Sequence, residues 1–276
     1  HNIEDYTNDS DELINHPNVD AIYIATPPDS HHYYAMKVAK AGKICCIEKP
    51  MAPSYQECKE IVNAFKSKEL PLFVAYYRRS LPRFEKLKVL IDSEEIGTIR
   101  HVNWSFHKPS NTIDLSGQYN WRTDIKVAYG GYFDDLASHG IDLFTHFFGT
   151  IKEASGICTN QQGLYTAMDT VSGSWLHTSG ISGSGYWNFG ASERKDDVEL
   201  IGNKGKITFS IFDEQPIRIS DNNQHREIVI DHPKHIQYYH VLNMKSTLFN
   251  KKEHPSTGKT AAHTSWVMDK ILGKIK

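Results

Sequence analysis

The stretch VDAIYIATPPDSHHYYAMKVAKAGKICCIEKP, residues 19–50, decides the fold. Its opening, Val19 to Thr26, is rich in β-branched and apolar side chains and ends at Pro27-Pro28, which cannot continue a ladder, so it reads as a strand. Ser30 stands at a cap position, and the helical pattern after it runs to Ala41 and stops at Gly42. Lys43 to Ile47 is a second strand, closed by Glu48-Lys49-Pro50. A lysine at the carboxyl end of such a strand lies where open α/β sheets bind ligands, and the proline fixes the backbone beside it. The bond before Pro50 is open to the cis form. A lysine that merely ends a strand has the same local sequence, so the rest of the chain must decide.

Working outward, Asp9 to Asn15 predicts a short acidic helix. Ser54-Tyr55-Gln56-Glu57 is a capping box that opens a helix to about Lys68, and Pro71 to Tyr76 is a third strand. Strands separated by helical patterns predict a parallel, doubly wound sheet. Beyond residue 78 the character changes. After a helix near Arg83–Asp92, alternating segments at 101–107, 170–177, 181–188, 198–201, 206–211 and 227–230 predict a large, mostly antiparallel sheet. In the first of them Val102, Trp104 and Phe106 share one face. Helices near 132–148, 236–249 and 258–272 are expected to cover one side of that sheet.

The 276 residues are 39% hydrophobic and 23% charged, with a net charge of −2, which is the balance of a soluble globular protein. No basic stripe marks a nucleic-acid surface, and no apolar run approaches the ~20 residues of a membrane span. Cys45 and Cys46 point to opposite faces of one strand, and with Cys58 and Cys158 they show no metal-ligand spacing. A reduced, cytoplasmic protein without a metal centre is expected.

Gly130-Gly131-Tyr132-Phe133-Asp134-Asp135 leads into Leu136-Ala137-Ser138-His139. Asp135 and His139 are spaced i, i+4 on one helix face, with Asp142 near it. A histidine beside a carboxylate is a tunable acid/base unit, although an ordinary polar helix face has the same spacing. Two other glycine clusters, Gly183-Ser184-Gly185 and Gly202 to Lys206, do not precede a helix in a βαβ context, so neither reads as a phosphate loop.

Taken in order, these parts resemble the Gfo/Idh/MocA oxidoreductase family over nearly the whole chain. The resemblance is carried by Val19-Asp20-Ala21, Ala25-Thr26-Pro27, His31, Ala41-Gly42-Lys43 and Glu48-Lys49-Pro50. It continues through Tyr77-Arg78-Arg79 with Pro82, Ile96-Gly97, Trp121-Arg122, and Gly130-Gly131 with Asp135, His139 and Asp142. Near the end, His254-Pro255-Ser256-Thr257-Gly258 and Trp266-Val267-Met268-Asp269 complete it.

The resemblance implies hydride transfer between NAD or NADP and a carbon of a sugar, inositol or related polyol. It implies that Lys49 polarises the reacting oxygen and that His139 is the acid/base. Asp135 would orient the hydroxyl and tune His139. Thr26, Pro27 and Glu48 would lie along the cofactor, together with Lys49. His31 has two readings, the cofactor edge or a capping and packing role in the first helical turn. Arg79, Trp121 and Arg122 would line the substrate cleft with Asp135 and His139, with surface pairing as the other reading for Arg79. Tyr238, Tyr239 and His240 reach the same cleft or form a packing face.

The family's opening strand and glycine-rich turn have no counterpart here. The implied architecture is therefore α/β, with a partial Rossmann-type dinucleotide-binding domain over 1–78. A C-terminal substrate-binding and oligomerisation domain with a large open sheet follows over 79–276. On that reading the first sheet has a bare edge where Ile22, Ile24 and Ile47 lack neighbours, and the chain alone binds a dinucleotide weakly or not at all. A homodimer or homotetramer through the C-terminal sheet is expected. A non-catalytic sugar- or nucleotide-sensing regulator on the same fold is the alternative.

Overall fold

A computed structural model describes residues 5–221 and 224–276. The chain opens with α1 (Ser10–Asn15), capped by the Asp9 carboxylate, which accepts from the Asp11 and Glu12 amides. β1 (Ala21–Ile24), α2 (His31–Lys40), β2 (Ile44–Ile47), α3 (Tyr55–Lys66) and β3 (Leu72–Val74) follow. The three strands are parallel in the order β1-β2-β3, with Ile22 opposite Cys45 and Cys46 opposite Phe73. β2 and β3 are buried on both faces, which is why they read as continuous apolar runs, whereas β1 buries Ile22 and Ile24 and exposes Ala21 and Tyr23.

Ser54 caps α3 by accepting from the Glu57 amide, but its hydroxyl donates to the Glu57 carboxylate, so the expected reciprocal box is only half formed. β1 is an edge strand of this sheet. The expected bare edge is present, but the side chains expected to lose cover do not: Ile22 and Ile24 of β1 and Ile47 of β2 are 8%, 4% and 0% exposed.

The second part begins with α4 (Pro82–Asp92) and β4 (Ile99–His107), then α5 (Thr112–Leu115) and α6 (Tyr132–Phe148). Five consecutive strands come next: β5 (Ile151–Thr159), β6 (Thr170–His177), β7 (Ser182–Asn188), β8 (Lys195–Gly202) and β9 (Gly205–Phe209). β10 (Ile217–Asp221), β11 (His225–Ile228), α7 (Tyr238–Asn250) and α8 (Gly258–Ile271) complete the described chain. The eight strands run in the order β11-β10-β9-β8-β4-β7-β6-β5 and are antiparallel except for the β4–β7 pair. β5, β10 and α5 lie outside the sequence expectation. β5 escapes because its register sends Glu153, Ser155 and Ile157 to the open side, while the covered side holds the small residues Ala154, Gly156 and Cys158.

One face of the large sheet carries the main core. Val102, Trp104 and Phe106 of β4, Trp187 of β7 and Val198 of β8 pack against Phe133, Ile141 and Phe144 of α6. α6 and α8 lie on that face, as expected. α7 does not: it docks on the turn at Tyr77–Ser80, and its one buried residue, His240, faces Cys46 of β2 at 3.8 Å. The glycine clusters serve packing. A Cβ at Gly183 would fall 2.0 Å from the Trp175 ring, and Gly202 and Gly205 flank the β8–β9 turn.

α8 is shared by two cores. Ala261 and Ala262 belong to the one around the parallel sheet, whereas Val267, Met268 and Ile271 belong to the one under the large sheet. A backbone bridge between Phe73 and Thr257 ties the start of α8 to β3. No helix among the described residues is long and apolar enough to cross a membrane.

α6 approaches β4 as closely as it does because Gly140 has no side chain; a Cβ there would sit 2.3 Å from the Trp104 ring. Gly140→Ala is expected to lower stability by about 1–3 kcal/mol through overpacking, despite alanine's better helix propensity. Urea unfolding measures this, and an unchanged midpoint would contradict the close approach.

Candidate active site

Four segments converge at the carboxyl end of β2. The first is Glu48-Lys49-Pro50, where the Lys49–Pro50 bond is cis. The second is the 3-10 turn at Tyr77–Ser80, the third is the short turn at Trp121–Thr123, and the fourth is the first half of α6. The chain enters α6 through Gly131, whose φ of 62° is easily reached only without a side chain, and a Cβ there would meet the Met168 carbonyl at 2.6 Å.

Lys49 Nζ donates to the Asp135 carboxylate and, at 3.0 Å, to the Asp135 carbonyl oxygen. Arg122 Nε donates to the other carboxylate oxygen at 3.1 Å. The Arg122 guanidinium also stacks 4.2 Å over the Trp121 ring. Burial works to raise the Asp135 pKa, but the Lys49 and Arg122 charges outweigh it, so the group sits below the usual carboxylate range and stays ionised. A cleft beside this triple is lined by Pro28, Pro50, Tyr76, Trp121, Asp135 and Ser138.

His139 lies one turn further along α6 and is 3% exposed. Its Nδ1 accepts from Arg78 Nη1 at 3.2 Å. The Tyr76, Tyr77 and Phe212 rings stand edge-on around it. Burial, reinforced by the Arg78 and Lys49 charges, holds His139 well below its usual pKa of 6.5, so the ring is neutral at neutral pH. The expected tuning of His139 by Asp135 is thus corrected. That carboxylate is engaged by Lys49 and Arg122, and the group bonded to the imidazole is Arg78.

Arg79 is also corrected. Both carboxylate oxygens of Asp142 accept from it, at 2.6 and 2.7 Å, and its remaining donors reach Pro255 O and Thr145 Oγ1. At 5% exposure it does not line the cleft. A 3-10 turn has about three residues per turn, so neighbouring side chains diverge by roughly 120°. Arg78 therefore faces His139 while Arg79 faces Asp142. Arg78 stood within the quoted Tyr77-Arg78-Arg79 run, but nothing in the sequence tells which arginine faces inward.

Of the remaining residues, Thr26 and Pro27 are exposed just beyond β1. Glu48 accepts from Tyr23 Oη at 2.6 Å and from Gln237 Nε2 at 2.9 Å, a link to α7 that the sequence did not suggest. His31 is fully buried, with one ring nitrogen 2.7 Å from Thr26 O and the other 3.1 Å from Pro50 O. Its packing reading holds, because it staples together the loops that follow β1 and β2. Tyr238 is exposed and His240 buried, so these neighbours do not act together.

A model described as "Oxidoreductase family, NAD-binding Rossmann fold" matches residues 1–76, and the "GFO/IDH/MocA C-terminal domain" matches residues 84–208. The chain is 34% identical over 275 residues to Oxidoreductase P35 of Formosa agariphila, spanning 99% of this chain and 84% of that protein. It belongs to the Gfo/Idh/MocA family. Levoglucosan dehydrogenase of Pseudarthrobacter phenanthrenivorans is 28% identical over 177 residues, 62% of this chain and 45% of that one. Among solved structures, levoglucosan dehydrogenase in complex with NADH and levoglucosan superposes with a TM-score of 0.84 at 21% identity, covering 96% of this chain and 80% of that one. The aldose-aldose oxidoreductase of Caulobacter crescentus does so with 0.81 at 19% identity, covering 95% and 78%. At those identities the likeness shows the fold.

This Gfo/Idh/MocA chain is a dehydrogenase or reductase that uses NAD or NADP. The residues at hand suit the nicotinamide end of such a cofactor. The carboxyl ends of parallel β1 and β2 are where dinucleotides bind, and an apolar cleft flanked by Pro28, Pro50 and Trp121 suits a flat ring. Among the described residues no glycine-rich loop follows a strand of the parallel sheet to cradle a pyrophosphate.

Asp134, next to the site, accepts from the Gly130 amide at 2.8 Å. Burial raises its pKa from 3.8 to about 6, against the pull of Lys274. The folded state therefore holds this proton more tightly than the unfolded chain does. Stability is lost as pH rises from about 4 to about 6, and the penalty is complete above that. Asp134→Asn keeps the acceptor but cannot ionise. It is expected to gain about 1–2 kcal/mol over the wild type at pH 7 and nothing at pH 4. Urea midpoints at both pH values test this, and an equal difference at both would count against it.

Proposed function

We propose that this oxidoreductase acts on a hydroxyl or carbonyl carbon of a sugar, inositol or related polyol. The observation that carries the reading is the Lys49–Asp135–Arg122 triple beside the neutral His139, at the end of a parallel strand. Hydride leaves or reaches carbon only as a proton leaves or reaches oxygen, and the bound nicotinamide supplies the hydride half. The chain supplies the rest. Lys49, held by Asp135, presents an ammonium to the reacting oxygen, and His139 presents a second polar group one helical turn away. Thr26, Pro27 and Glu48 border the cofactor. Trp121 offers a flat face to a sugar ring, and Arg122 offers donors to its hydroxyls. The name of levoglucosan dehydrogenase, 28% identical over 177 residues, supports this substrate class. A pure sensor has no need of a lysine braced in this way, so the catalytic reading is preferred to the regulatory one.

Lys49→Ala is expected to lower kcat by at least ~10²-fold on any polyol or aldose found to turn over. NADH and NADPH affinity, read by fluorescence titration, should stay within about threefold, a change worth under 1 kcal/mol. Turnover that survives in the variant would refute the assignment.

The open face of the large sheet forms a homo-oligomer interface in this reading. Among the described residues it carries no helix, and it presents rows of small and polar side chains, among them Ser155, Ser172, Ser174 and Ser184, around Ile157 and Tyr186. Ile157 is 74% exposed and Tyr186 42%. The wild type is expected to scatter light as a multiple of 31.5 kDa. Ile157→Asp combined with Tyr186→Asp should give that single-chain mass, and an unchanged assembly would place the interface elsewhere.

A further inference from the structure

We propose that Asn120 is a positioning residue that, with Asp114 and Tyr132, holds the Trp121–Arg122 turn against the first turn of α6 and so fixes the wall of the cleft that meets the substrate. This deepens the reaction proposed above and rests on it only where turnover is measured.

Trp121 and Arg122 sit on a loop. Between β4 and α6 the chain forms only the short α5 and the three-residue turn at Trp121–Thr123, so side chains must hold this stretch in place. Asp114 of α5, 6% exposed, is the anchor. Its Oδ2 accepts from Tyr132 Oη at 2.6 Å, and its Oδ1 accepts from Asn120 Nδ2 at 3.1 Å. Hydrogen bonds to a carboxylate are strong for their kind, and a carboxylate only accepts.

That constraint decides how Asn120 stands. Facing a carboxylate, its amide must present the NH2 group, which donates to Asp114 and, at 2.9 Å, to Tyr132 Oη. The amide oxygen is thereby turned the other way, where it accepts from the Arg122 backbone N–H at 3.2 Å. Tyr132 closes the triangle, donating to Asp114 and accepting from Asn120. The Asn120 backbone carbonyl also accepts from the Thr123 amide at 3.0 Å and from Thr123 Oγ1 at 3.1 Å, which closes the turn on itself.

The turn is thus joined to α6 twice. Tyr132 opens that helix, and Asp135 lies three residues on. The Arg122 side chain reaches Asp135 Oδ2 at 3.1 Å, while its backbone N–H is held through Asn120 by Tyr132. A ring of contacts runs from Arg122 to Asp135, along the first turn of α6 to Tyr132, and back through Asn120. The Arg122–Asp135 pair is a weak hold by itself, because the arginine side chain is 42% exposed and solvent screens it. The second tie is buried, so it carries the geometry. Trp121, which lies 4.2 Å beneath the Arg122 guanidinium and lines the cleft, depends on it for a fixed place. Lys49 stays bonded to Asp135 whether or not the turn is held, so loss of Asn120 falls on how the substrate is gripped more than on the chemical step.

The turn can be read in the full chain without substrate. Of the five tryptophans, Trp104, Trp175 and Trp187 are buried, and Trp121 and Trp266 are half-buried. Acrylamide quenching is compared in each protein with and without Trp121→Phe, and the difference is the Trp121 signal. Asn120→Ala should raise the Trp121 quenching constant by about twofold, as local opening of the turn does, and leave the other tryptophans unchanged. Asn120→Ser, whose hydroxyl can accept from the Arg122 amide and donate to Asp114, should restore most of the protection. On a polyol or aldose that turns over, Asn120→Ala should lower kcat/KM by about tenfold, chiefly through KM. Wild-type quenching in Asn120→Ala overturns the proposal. So does a rise shared by the buried tryptophans, which marks general loosening. If Asn120→Ala does not fold, Tyr132→Phe, which lacks the hydroxyl between Asp114 and Asn120, must show the raised Trp121 quenching or the proposal fails. Failure of the reaction itself is read separately, from turnover in Lys49→Ala.

Discussion

The buried ion pair between Arg79 and Asp142 is the contact on which the rest of the site depends. Two charges removed from water gain little net energy, but breaking such a pair costs about 3–5 kcal/mol because one charge is left alone. Here the pair is fully bonded. Asp142 also accepts from Thr264 Oγ1 of α8 at 3.1 Å, and Arg79 reaches the Pro255 carbonyl ahead of that helix. One guanidinium thus joins the turn after β3, the middle of α6 and the approach to α8. That junction sets the height and rotation of α6, and with them where Asp135 and His139 stand relative to Lys49.

With α6 fixed, the site divides its charges between two arms. Asp135 gathers Lys49 and Arg122, and His139 receives only Arg78. Low dielectric strengthens each of these contacts and makes any unpaired charge expensive, so the arms do not exchange partners freely. Lys49 comes from the parallel sheet, Arg122 from the loop after β4, and His139 from the helix under the large sheet. A site assembled from such separate segments is held by packing, and its precision reflects the aromatic wall of Tyr76, Tyr77 and Phe212.

Much of this was legible in the sequence. The strand-helix alternation around residues 19–76 and the run from Tyr132 to Phe148 state their structure through local periodicity and punctuation, and the structure brings Lys49 onto Asp135 with His139 one helical turn away. The rest depends on partners distant in sequence. β5 has its apolar residues on the exposed side and small ones on the covered side, the reverse of a usual amphipathic strand. Arg78 and Arg79 are adjacent and chemically identical, and only the 3-10 turn separates their roles. His31 was one of two readings because a histidine at a helix start gives no sign that both its nitrogens will find carbonyls.

α8 lends side chains to both hydrophobic cores, and it leaves the ribosome after the strands of both sheets. A nascent chain that has already emerged through β3 still lacks Ala261 and Ala262, so the parallel sheet cannot finish closing until the large sheet has been made. Domains commonly fold one after another during synthesis. Here the earlier part must wait for the later one. A protease or chaperone meeting the half-made chain would find the lysine-bearing strand still unsealed, and competence for catalysis and completion of the fold arrive together.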